Sequence, residues 1–294
     1  MSKYFYIYPT ESENFFPTKY WLIAPSVTCA RNDNNGRLSN DHVGTDFYAA
    51  ITLKAPGRAV LLHQKTETMK ITYYGHSCFS VDAGGKTILF DPFISGNELA
   101  SGINPDDIRV DYIFVSHGHF DHSHDVVRIA SNNNAMVVGS WELYTHFGAQ
   151  GVKKVHPLNP GGKWTFDFGT AKGTAAVHSS SFQDGSYAGV AEGFAFKTED
   201  GNFYYSGDTA LTLDMTLVPK WAKLDFAALP IGDVLTMGIE DAIEAARLLG
   251  VTRVLGVHYD TFGFIKIDKA EAIEAFRNAG LTLYLPEIGE TIAI

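Results

Sequence analysis

The sequence predicts an α/β protein, and three observations support this fold class. Short runs of β-branched and aromatic residues recur from Lys70 to the C-terminus, and most are bounded by Gly, Asn, Asp or Ser. Between them lie segments in which apolar residues recur every three or four positions, the period of a helix with one buried face. No unit of about 20 to 50 residues repeats, which argues against solenoids and propellers. Strands interleaved with helices in this way are typical of a sheet covered by helices.

The strand pattern becomes dense at Met69. Residues 70–74, 79–81 and 87–91 are predicted strands. Gly84-Gly85 supplies the turn between the last two, because glycine adopts the positive φ that a tight hairpin needs. Further strands are predicted at residues 112–116, 136–138, 171–177, 194–197, 203–206, 226–229, 253–257 and 281–285.

Two helices are specified by their apolar period and by their ends. In Ile239–Leu249 the apolar residues recur at intervals of three and four. A second helix starts at Asp268, since Asp268 and Glu271 form a capping-box pattern. We expect this helix to turn Ile273 and Phe276 inward.

Residues 1–68 lack this patterning. Their aromatic residues have no clear period, a turn-rich polar run spans residues 31–40, and apolar stretches are short. We therefore divide the chain into an N-terminal extension without a recognisable domain, residues 1–68, and one domain over residues 69–294. Because Met69-Lys-Ile-Thr is a natural opening, we interpret the extension as a mis-assigned start or a dispensable, disordered segment.

Composition and charge restrict the function. With 45% hydrophobic and 19% charged residues the chain is globular. It shows neither a spanning helix nor a signal peptide, so we expect a cytoplasmic protein. Two cysteines, Cys29 and Cys78, allow one disulfide at most. Residues 1–68 hold 7 basic and 6 acidic residues and residues 69–294 hold 16 and 27, a balance that repels phosphate and disfavours a nucleic-acid partner.

The first functional signal is a cluster of histidines. Four of the 11 histidines fall within residues 117–124, directly after a predicted strand. An apolar strand therefore runs straight into a loop with four potential metal ligands, His117-Gly-His119-Phe-Asp121-His122. A buried strand fixes such a loop, and we expect Gly118 to let the backbone bend sharply enough for the side chains to diverge. A solvated loop with chance histidines is the alternative, and the density of ligands argues against it.

Three further polar residues follow other predicted strands: His178, Asp208 and His258. Each alone is more often a capping or core residue. Since each ends an apolar strand, we expect them to meet at one edge of a sheet sandwich. With the loop they complete a set of seven candidate ligands: His117, His119, Asp121, His122, His178, Asp208 and His258. His124, His146 and His156 fall outside this pattern and are expected at the surface or in structural positions.

The order of these residues resembles the metallo-β-lactamase superfamily of hydrolases. The closer resemblance is to the lactonase-like branch that includes L-ascorbate-6-phosphate lactonase. It rests on Gly75-His76-Ser77-Cys78-Phe79, Phe90-Asp91-Pro92-Phe93, Asn159-Pro-Gly-Gly162, Gly207-Asp208-Thr209, Met237-Gly238 with Asp241, and His258-Tyr-Asp-Thr-Phe262. The resemblance covers residues 69–294 and implies a four-layer αββα sandwich with the site between the edges of its two sheets.

The resemblance also implies a role for each ligand. A first divalent metal ion would be held by His117, His119 and His178, a second by Asp121, His122 and His258, with Asp208 bridging the two. Imidazole and carboxylate ligands without cysteine suit Zn²⁺, and Mn²⁺ or Fe²⁺ also fit. Asp91 is expected to support the ligand loop from behind rather than to bind metal.

The implied reaction is hydrolysis by a metal-bridged hydroxide. Two cations lower the pKa of a bridging water towards about 7, and the hydroxide would attack the carbonyl carbon of a small lactone, ester or amide. The candidate catalytic residues are Asp121, which would orient the nucleophile or pass a proton to the leaving group, and His76, which would contact substrate. A buried His76 hydrogen-bonded to backbone is the alternative. Cys78 is expected to face the core rather than to act as a nucleophile.

Two other classes of function stay open. Phosphodiesterases and nucleases of the same fold are the runner-up, although the acidic domain counts against a polyanionic substrate. A non-catalytic, metal-free binding protein is less favoured, because it would be expected to lack at least one of the seven ligands and none is missing. A flavodiiron redox role is disfavoured, since those proteins carry Glu where this chain has His119.

The expected partner is a small-molecule substrate, with neither nucleic acid nor a membrane, and a homo-oligomer is compatible with the sequence. Specificity in this fold lies on loops around the metals, here residues 93–107, 179–193 and 259–264. These segments hold no pair of basic residues that would clamp a phosphate. An uncharged or weakly charged substrate is therefore favoured over a sugar phosphate.

Overall fold

The computed structural model describes residues 49–55, 58–64 and 69–294. The chain divides into two compact units, Met1–Thr66 and Glu67–Ile294. In the first unit the described residues form an antiparallel hairpin of β1 (Ala49–Ala55) and β2 (Arg58–Gln64). The prediction that residues 1–68 are a dispensable extension lies mostly outside the described residues.

The second unit carries the other strands and helices. Its strands are β3 (Lys70–Gly75), β4 (Cys78–Ala83), β5 (Lys86–Phe90), β6 (Tyr112–Phe114), β7 (Met136–Gly139), β8 (Val155–Pro157), β9 (Lys163–Phe166), β10 (Gly169–Ala175), β11 (Glu192–Lys197), β12 (Asn202–Tyr205), β13 (Phe226–Pro230), β14 (Arg253–Val257), β15 (Thr282–Tyr284) and β16 (Thr291–Ala293). Its α-helices are α1 (Phe120–Ser123), α2 (Val126–Asn133), α3 (Trp141–Ala149), α4 (Val218–Trp221), α5 (Ile239–Leu249) and α6 (Lys269–Asn278). Short 3-10 helices lie at Glu98–Ala100, Pro105–Asp107, Leu213–Leu217 and Gly263–Ile265.

These strands form two mixed sheets of seven strands each. The first has the order β16-β3-β4-β5-β6-β7-β8, and the second has the order β15-β14-β13-β12-β11-β10-β9. Strands β5 to β8 are parallel in the first sheet, and β12 to β15 are parallel in the second. The remaining pairs are antiparallel.

The two sheets pack face to face through a core of aromatic rings. The Phe114 ring lies 5.1 Å from that of Phe194, and the Phe90 ring lies 5.5 Å from that of Phe196, each pair edge to face across the two sheets. Helices α2 and α3 contact the first sheet, and α5 and α6 contact the second. A separate apolar cluster that includes Ile113 fills the space under α2 and α3. The predicted αββα sandwich is confirmed.

The sequence-predicted elements are found with small shifts of their ends. Gly84 and Gly85 have φ of 58° and 70°, so they form the predicted hairpin turn between β4 and β5. Helix α5 has the predicted bounds, and the Asp268 side chain caps α6 by accepting from the backbone N–H groups of Ala270 and Glu271. The inward orientation of Ile273 was wrong, because its side chain is 45% exposed.

In each sheet several strands run in the same direction, so their carboxyl ends lie at the same edge. In the first sheet β3, β5 and β6 run the same way, because β4 is antiparallel to both β3 and β5. In the second sheet β10, β12, β13 and β14 share a direction for the same reason. Residues that follow the carboxyl ends of these strands therefore meet at one edge of their sheet.

Among the helices that the structure describes, none combines the length and the apolar composition required to cross a bilayer.

Candidate metal centre

Every candidate site residue lies in the segment that follows one of these strands. His76 sits in the tight turn after β3, Asp91 directly follows β5, and the loop after β6 carries the histidine cluster. In that loop His119 precedes α1, so Asp121 and His122 lie on its first turn. From the second sheet come the remaining three: His178 after β10, Asp208 after β12 and His258 after β14.

The side chains gather into two separate groups with metal-ligand spacing. One contains His117, His119 and His178, and the other contains His76, Asp121, His122 and His258, while a third set, Asp91 with His117 and His122, overlaps both. Within each group one ligand atom of every residue lies within 4.8 Å of the others. Apart from His76, which joins the second group, these are the two sets that the family resemblance implies.

Asp208 lies between the two groups. Its Oδ2 is 2.9 Å from Nε2 of His258 and 3.2 Å from Nε2 of His122, both of the second group. The same oxygen is 3.7 Å from Nε2 of His178, which belongs to the first. A carboxylate in this position can reach cations held by either group, which is the geometry required of a bridging ligand.

Asp91 holds the ligand loop through its hydrogen bonds. It is fully buried, and its Oδ2 accepts from Nδ1 of His122 at 2.8 Å and from the Tyr205 hydroxyl at 2.5 Å. Both of its oxygens also accept from Ser116, from the backbone N–H at 2.7 Å and from the hydroxyl at 2.5 Å. Because Nδ1 of His122 carries this bond, its Nε2 is directed toward the site, a support typical of metal-binding histidines.

His76 is hydrogen-bonded to side chains at both ring nitrogens. Its Nε2 lies 3.0 Å from Oδ2 of Asp121, and its Nδ1 lies 3.0 Å from the Thr261 hydroxyl. Burial and the neighbouring His258 lower the pKa of His76 to about 4, so the ring is neutral at pH 7. Since a carboxylate only accepts, Nε2 carries the hydrogen and Nδ1 accepts from Thr261.

Three residues of the centre have strained backbones. His76, Asp91 and His258 have φ of 55°, 40° and 57°, in the left-handed region that non-glycine residues rarely adopt. Such conformations cost about 1–3 kcal/mol each and cluster at functional sites. The strands and hydrogen bonds on either side hold them in place, as in the 3.0 Å bond from the His258 N–H to the His76 carbonyl.

Gly118 differs from its expected role. It is not among the residues with positive φ, so its backbone makes no turn that requires glycine. Instead a Cβ at this position would lie 2.2 Å from Cβ of Ala188. Glycine is needed here because the segment that contains Phe182 and Ala188 packs directly on the ligand loop.

The charges of the centre are set by its own His and Asp side chains. Burial and the neighbouring His122 lower the pKa of His117 well below its usual value. Burial alone would raise the pKa of Asp208, but His122 and His258 hold it well below the usual range. Burial would likewise raise the pKa of Asp121, but His122 and His76 lower it. Burial alone would lower the pKa of His122, but Asp208 and Asp121 raise it well above its usual value. At neutral pH the site therefore offers ionised carboxylates and a neutral His117, the forms that bind metal, and a metal bound at His122 would displace a proton.

Divalent cations fit this centre. His122 Nε2 and Asp208 Oδ1 are buried and make no hydrogen bond within the described part of the chain. Nε2 of His122 does lie 3.2 Å from the Asp208 carboxylate, but without the geometry of a hydrogen bond. Buried polar atoms without partners are costly, so their presence here indicates a ligand. Imidazole and carboxylate donors suit Zn²⁺, Mn²⁺ and Fe²⁺.

The centre opens to solvent on one side. Asp121 and His178 have side chains that are 18% and 14% exposed, whereas His117 and His122 are fully buried. Within the described residues, the ion pairs of Asp91, Asp121 and Asp208 are all with histidines.

Sequence reasoning missed several residues that the structure places around the centre. In the sequence Tyr205 lies within a predicted strand, Ser116 comes directly before the ligand loop, and Thr261 belongs to the motif at residues 258–262, with no local signal of a role at the centre. Glu192 was also missed, although it is fully buried and neither carboxyl oxygen has a hydrogen-bond partner in the described chain. The sequence offers one signal: a glutamate just before the apolar strand predicted at residues 194–197.

Histidines outside the predicted set lie away from the two groups. His124 ends α1 and is exposed, and His146 stacks on the Phe182 ring with centroids 3.6 Å apart. His156 lies on β8 beside Trp164. Cys78 is fully buried, as predicted, and burial raises the pKa of its thiol well above the usual value, which leaves it unreactive.

Similarity to known proteins is extensive over the part of the chain that carries this centre. Residues 70–258 match the family model described as the beta-lactamase superfamily domain. The chain is 47% identical over 226 residues to a UPF0173 metal-dependent hydrolase of Flavobacterium johnsoniae, a match that covers 77% of this chain and 100% of the relative. The metallo hydrolase Igni18 of Ignicoccus hospitalis is similar in structure, with a TM-score of 0.70 and 31% identity over 77% of this chain and 98% of that one. An isothiocyanate hydrolase from Delia radicum gut bacteria has the same fold, with a TM-score of 0.63 and 20% identity over 77% and 99% of the two chains.

Proposed function

We propose that this chain, which belongs to the metallo-β-lactamase superfamily of metal-dependent hydrolases, cleaves a small, uncharged lactone, ester or amide with two divalent ions at its His and Asp centre. The observation that carries the proposal is the position of Asp208, whose Oδ2 lies within 3.7 Å of imidazoles from both ligand groups. Zn²⁺ is the preferred ion, because the ligands are imidazoles and carboxylates in a buried site.

Two bound cations would lower the pKa of a water molecule to supply hydroxide at neutral pH and would polarise the substrate carbonyl. In this reaction Asp121 is the acid–base residue. It is ionised at neutral pH and partly exposed at the opening, so it would orient the hydroxide and, after the attack, carry the proton left on the attacking oxygen to the leaving group.

His76 acts through Asp121. Its ring is 1% exposed and both nitrogens are engaged, so the substrate does not reach it. The bond from Nε2 fixes Oδ2 of Asp121, the oxygen that also lies 3.7 Å from Nε2 of His122 and 3.8 Å from Nε2 of His258. We therefore assign His76 as a positioning residue.

A small, uncharged substrate is favoured by the charges around the opening. Among the described residues the carboxylates of the centre form ion pairs only with histidines, so this proposal includes no basic clamp for a phosphate. This argues against a phosphodiester, the runner-up, and against a nucleic-acid partner. The narrower resemblance to the branch of L-ascorbate-6-phosphate lactonase stays a prediction.

The test is a panel of γ-butyrolactone, p-nitrophenyl acetate, p-nitroacetanilide and bis(p-nitrophenyl) phosphate, assayed with Zn²⁺ and with Mn²⁺. We expect metal-dependent turnover of at least one of the three acyl compounds, and loss of that turnover in Asp208→Ala. His146→Ala, outside both ligand groups, is the matched control and should keep it. Turnover confined to the phosphodiester would replace this proposal with the runner-up.

A further inference from the structure

The turn after β13 exposes apolar side chains on a strained backbone. Asp233 and Val234 have φ of 61° and 58°. For a β-branched residue this left-handed conformation is a genuine outlier. Val234 is also 67% exposed and Leu235 is 44% exposed, so burial of these side chains does not offset the strain.

Hydrogen bonds hold the turn in this conformation. The Val234 N–H donates to Oδ1 of Asp233 at 2.7 Å, and the Leu235 N–H donates to the Asp233 carbonyl at 2.6 Å. The Asp233 N–H donates to the Met237 carbonyl at 3.1 Å, which closes the turn. The conformation is thus imposed by a network, and Gly or Asn at position 234 would satisfy the same backbone without strain.

Both ends of the turn are attached to the segments that carry metal ligands. On one side a Cβ at Gly232 would lie 2.1 Å from the His258 carbonyl oxygen, so the two backbones are in contact. On the other side the Met237 N–H donates to the carbonyl of Thr209, the residue after Asp208, at 3.0 Å. The turn therefore stands between the loops of His258 and Asp208.

Another exposed apolar residue lies beside the segment that follows Asp208. Val177, which precedes His178, is 56% exposed. Its N–H donates to the Thr209 hydroxyl at 3.0 Å, and its carbonyl accepts from the Ala210 N–H at 3.1 Å. Val177 and Val234 are thus connected through the segment that follows Asp208.

We infer that the turn of residues 233–236 is a specificity element, in which Val234 and Leu235 contact an apolar part of the substrate at the metal centre. This inference rests on the proposed function and narrows its substrate class to uncharged acyl compounds that carry an alkyl or similar apolar group. Strain retained on an exposed valine next to two ligand loops is explained by a contact that forms when substrate binds.

The experiment measures kcat/KM for γ-butyrolactone, γ-hexalactone and γ-octalactone in the metal-loaded protein. A fully buried methylene is worth about fourfold, so the wild type should gain about two- to fourfold for each added methylene. Val234→Gly and Val234→Ala should both reduce this gain toward none. Val234→Gly should also raise the Tm by about 2 to 4 °C because it relieves the strain, and Val234→Ala should not.

Two controls separate a contact from a general effect. Ile273→Ala removes an exposed apolar side chain from α6, and Asn134→Gly replaces another positive-φ residue at the end of α2. Neither should change the dependence of kcat/KM on chain length. A full gain per methylene in both Val234 variants would overturn the inference, as would an unchanged Tm in Val234→Gly.

Binding of butanoate, hexanoate and octanoate to the metal-loaded protein, measured by calorimetry, does not depend on turnover. Affinity that rises with chain length in the wild type but not in Val234→Ala supports the contact even if no lactone, ester or amide is hydrolysed, an outcome that would count only against the proposed function. Affinity that is independent of chain length in the wild type would overturn the inference.

Discussion

Replacing Glu192 with Gln is expected to change how the stability of the protein depends on pH. Glu192 is fully buried and has no hydrogen-bond partner for either oxygen within the described residues. Burial, with Asp91 and Glu142 nearby, raises the pKa of its carboxyl well above the usual value. The side chain is therefore protonated in the folded protein at pH values where it ionises in the unfolded chain.

The sign and size follow from proton linkage. A raised folded-state pKa gives a stability contribution that is fully present below the unfolded pKa of about 4.3 and is lost as pH rises toward the folded pKa. In that window the loss is about 1.4 kcal/mol for each pH unit. Gln does not titrate, so the free energy of unfolding of Glu192→Gln relative to wild type should rise by about 1.4 kcal/mol from pH 5 to pH 6. The cost of burying an amide is a constant offset and does not affect this slope.

Urea unfolding of both proteins at pH 5, 6 and 7, at one fixed metal concentration, measures the difference. Glu271→Gln, at the exposed start of α6, is the matched control, because it also removes one carboxylate but not a buried one. A difference between Glu192→Gln and wild type that stays constant with pH would show that Glu192 ionises as readily in the folded protein, and the reasoning would be wrong.

Three further outcomes are expected. Elemental analysis should find about two metal equivalents in the wild type and fewer in Asp208→Ala, with His146→Ala unchanged; full occupancy in Asp208→Ala would refute the bridging role. Asp91→Asn should weaken metal binding by about 10- to 100-fold in a chelator competition, because the support for His122 changes from a carboxylate to an amide, and unchanged affinity would contradict that role. A chain that begins at Met69 should fold and keep its metal, since both seven-stranded sheets and the metal centre lie within residues 69–294; an insoluble or metal-free product would show that residues 1–68 are needed.

The residues of the two groups, though not their role as ligands, could be predicted from the sequence because each follows a recognisable apolar strand. Four potential ligands in one short loop after a strand indicated the position of the centre. Asp208 and His258, each at the end of a later strand, indicated that the second sheet contributes to it. The direction of the strands then decides at which edge of the sheet these residues meet. Strands that alternate with helices favour parallel pairs, and both sheets contain them.

Details that depend on distant partners could not be predicted. Thr261 and His76 are 185 positions apart, and no local pattern connects them. Helix α6 shows a second kind of limit: Ala272 and Phe276, four residues apart, face the core, so the predicted Ile273 is one position off the buried face. Gly118 shows a third, because its role is set by the approach of Ala188 from another segment.

The division of the candidate ligands between the two sheets would couple metal binding to the docking of the sheets. His117 and His122 extend from the first sheet, whereas His178, Asp208 and His258 extend from the second. A cation held by both sets binds only when the sheets are packed, so each tenfold excess of metal over its dissociation constant adds about 1.4 kcal/mol to the free energy of unfolding. Thermal stability would then report the supply of metal ions around the protein, and a chelator would act on the aromatic interface of the sandwich as a denaturant does.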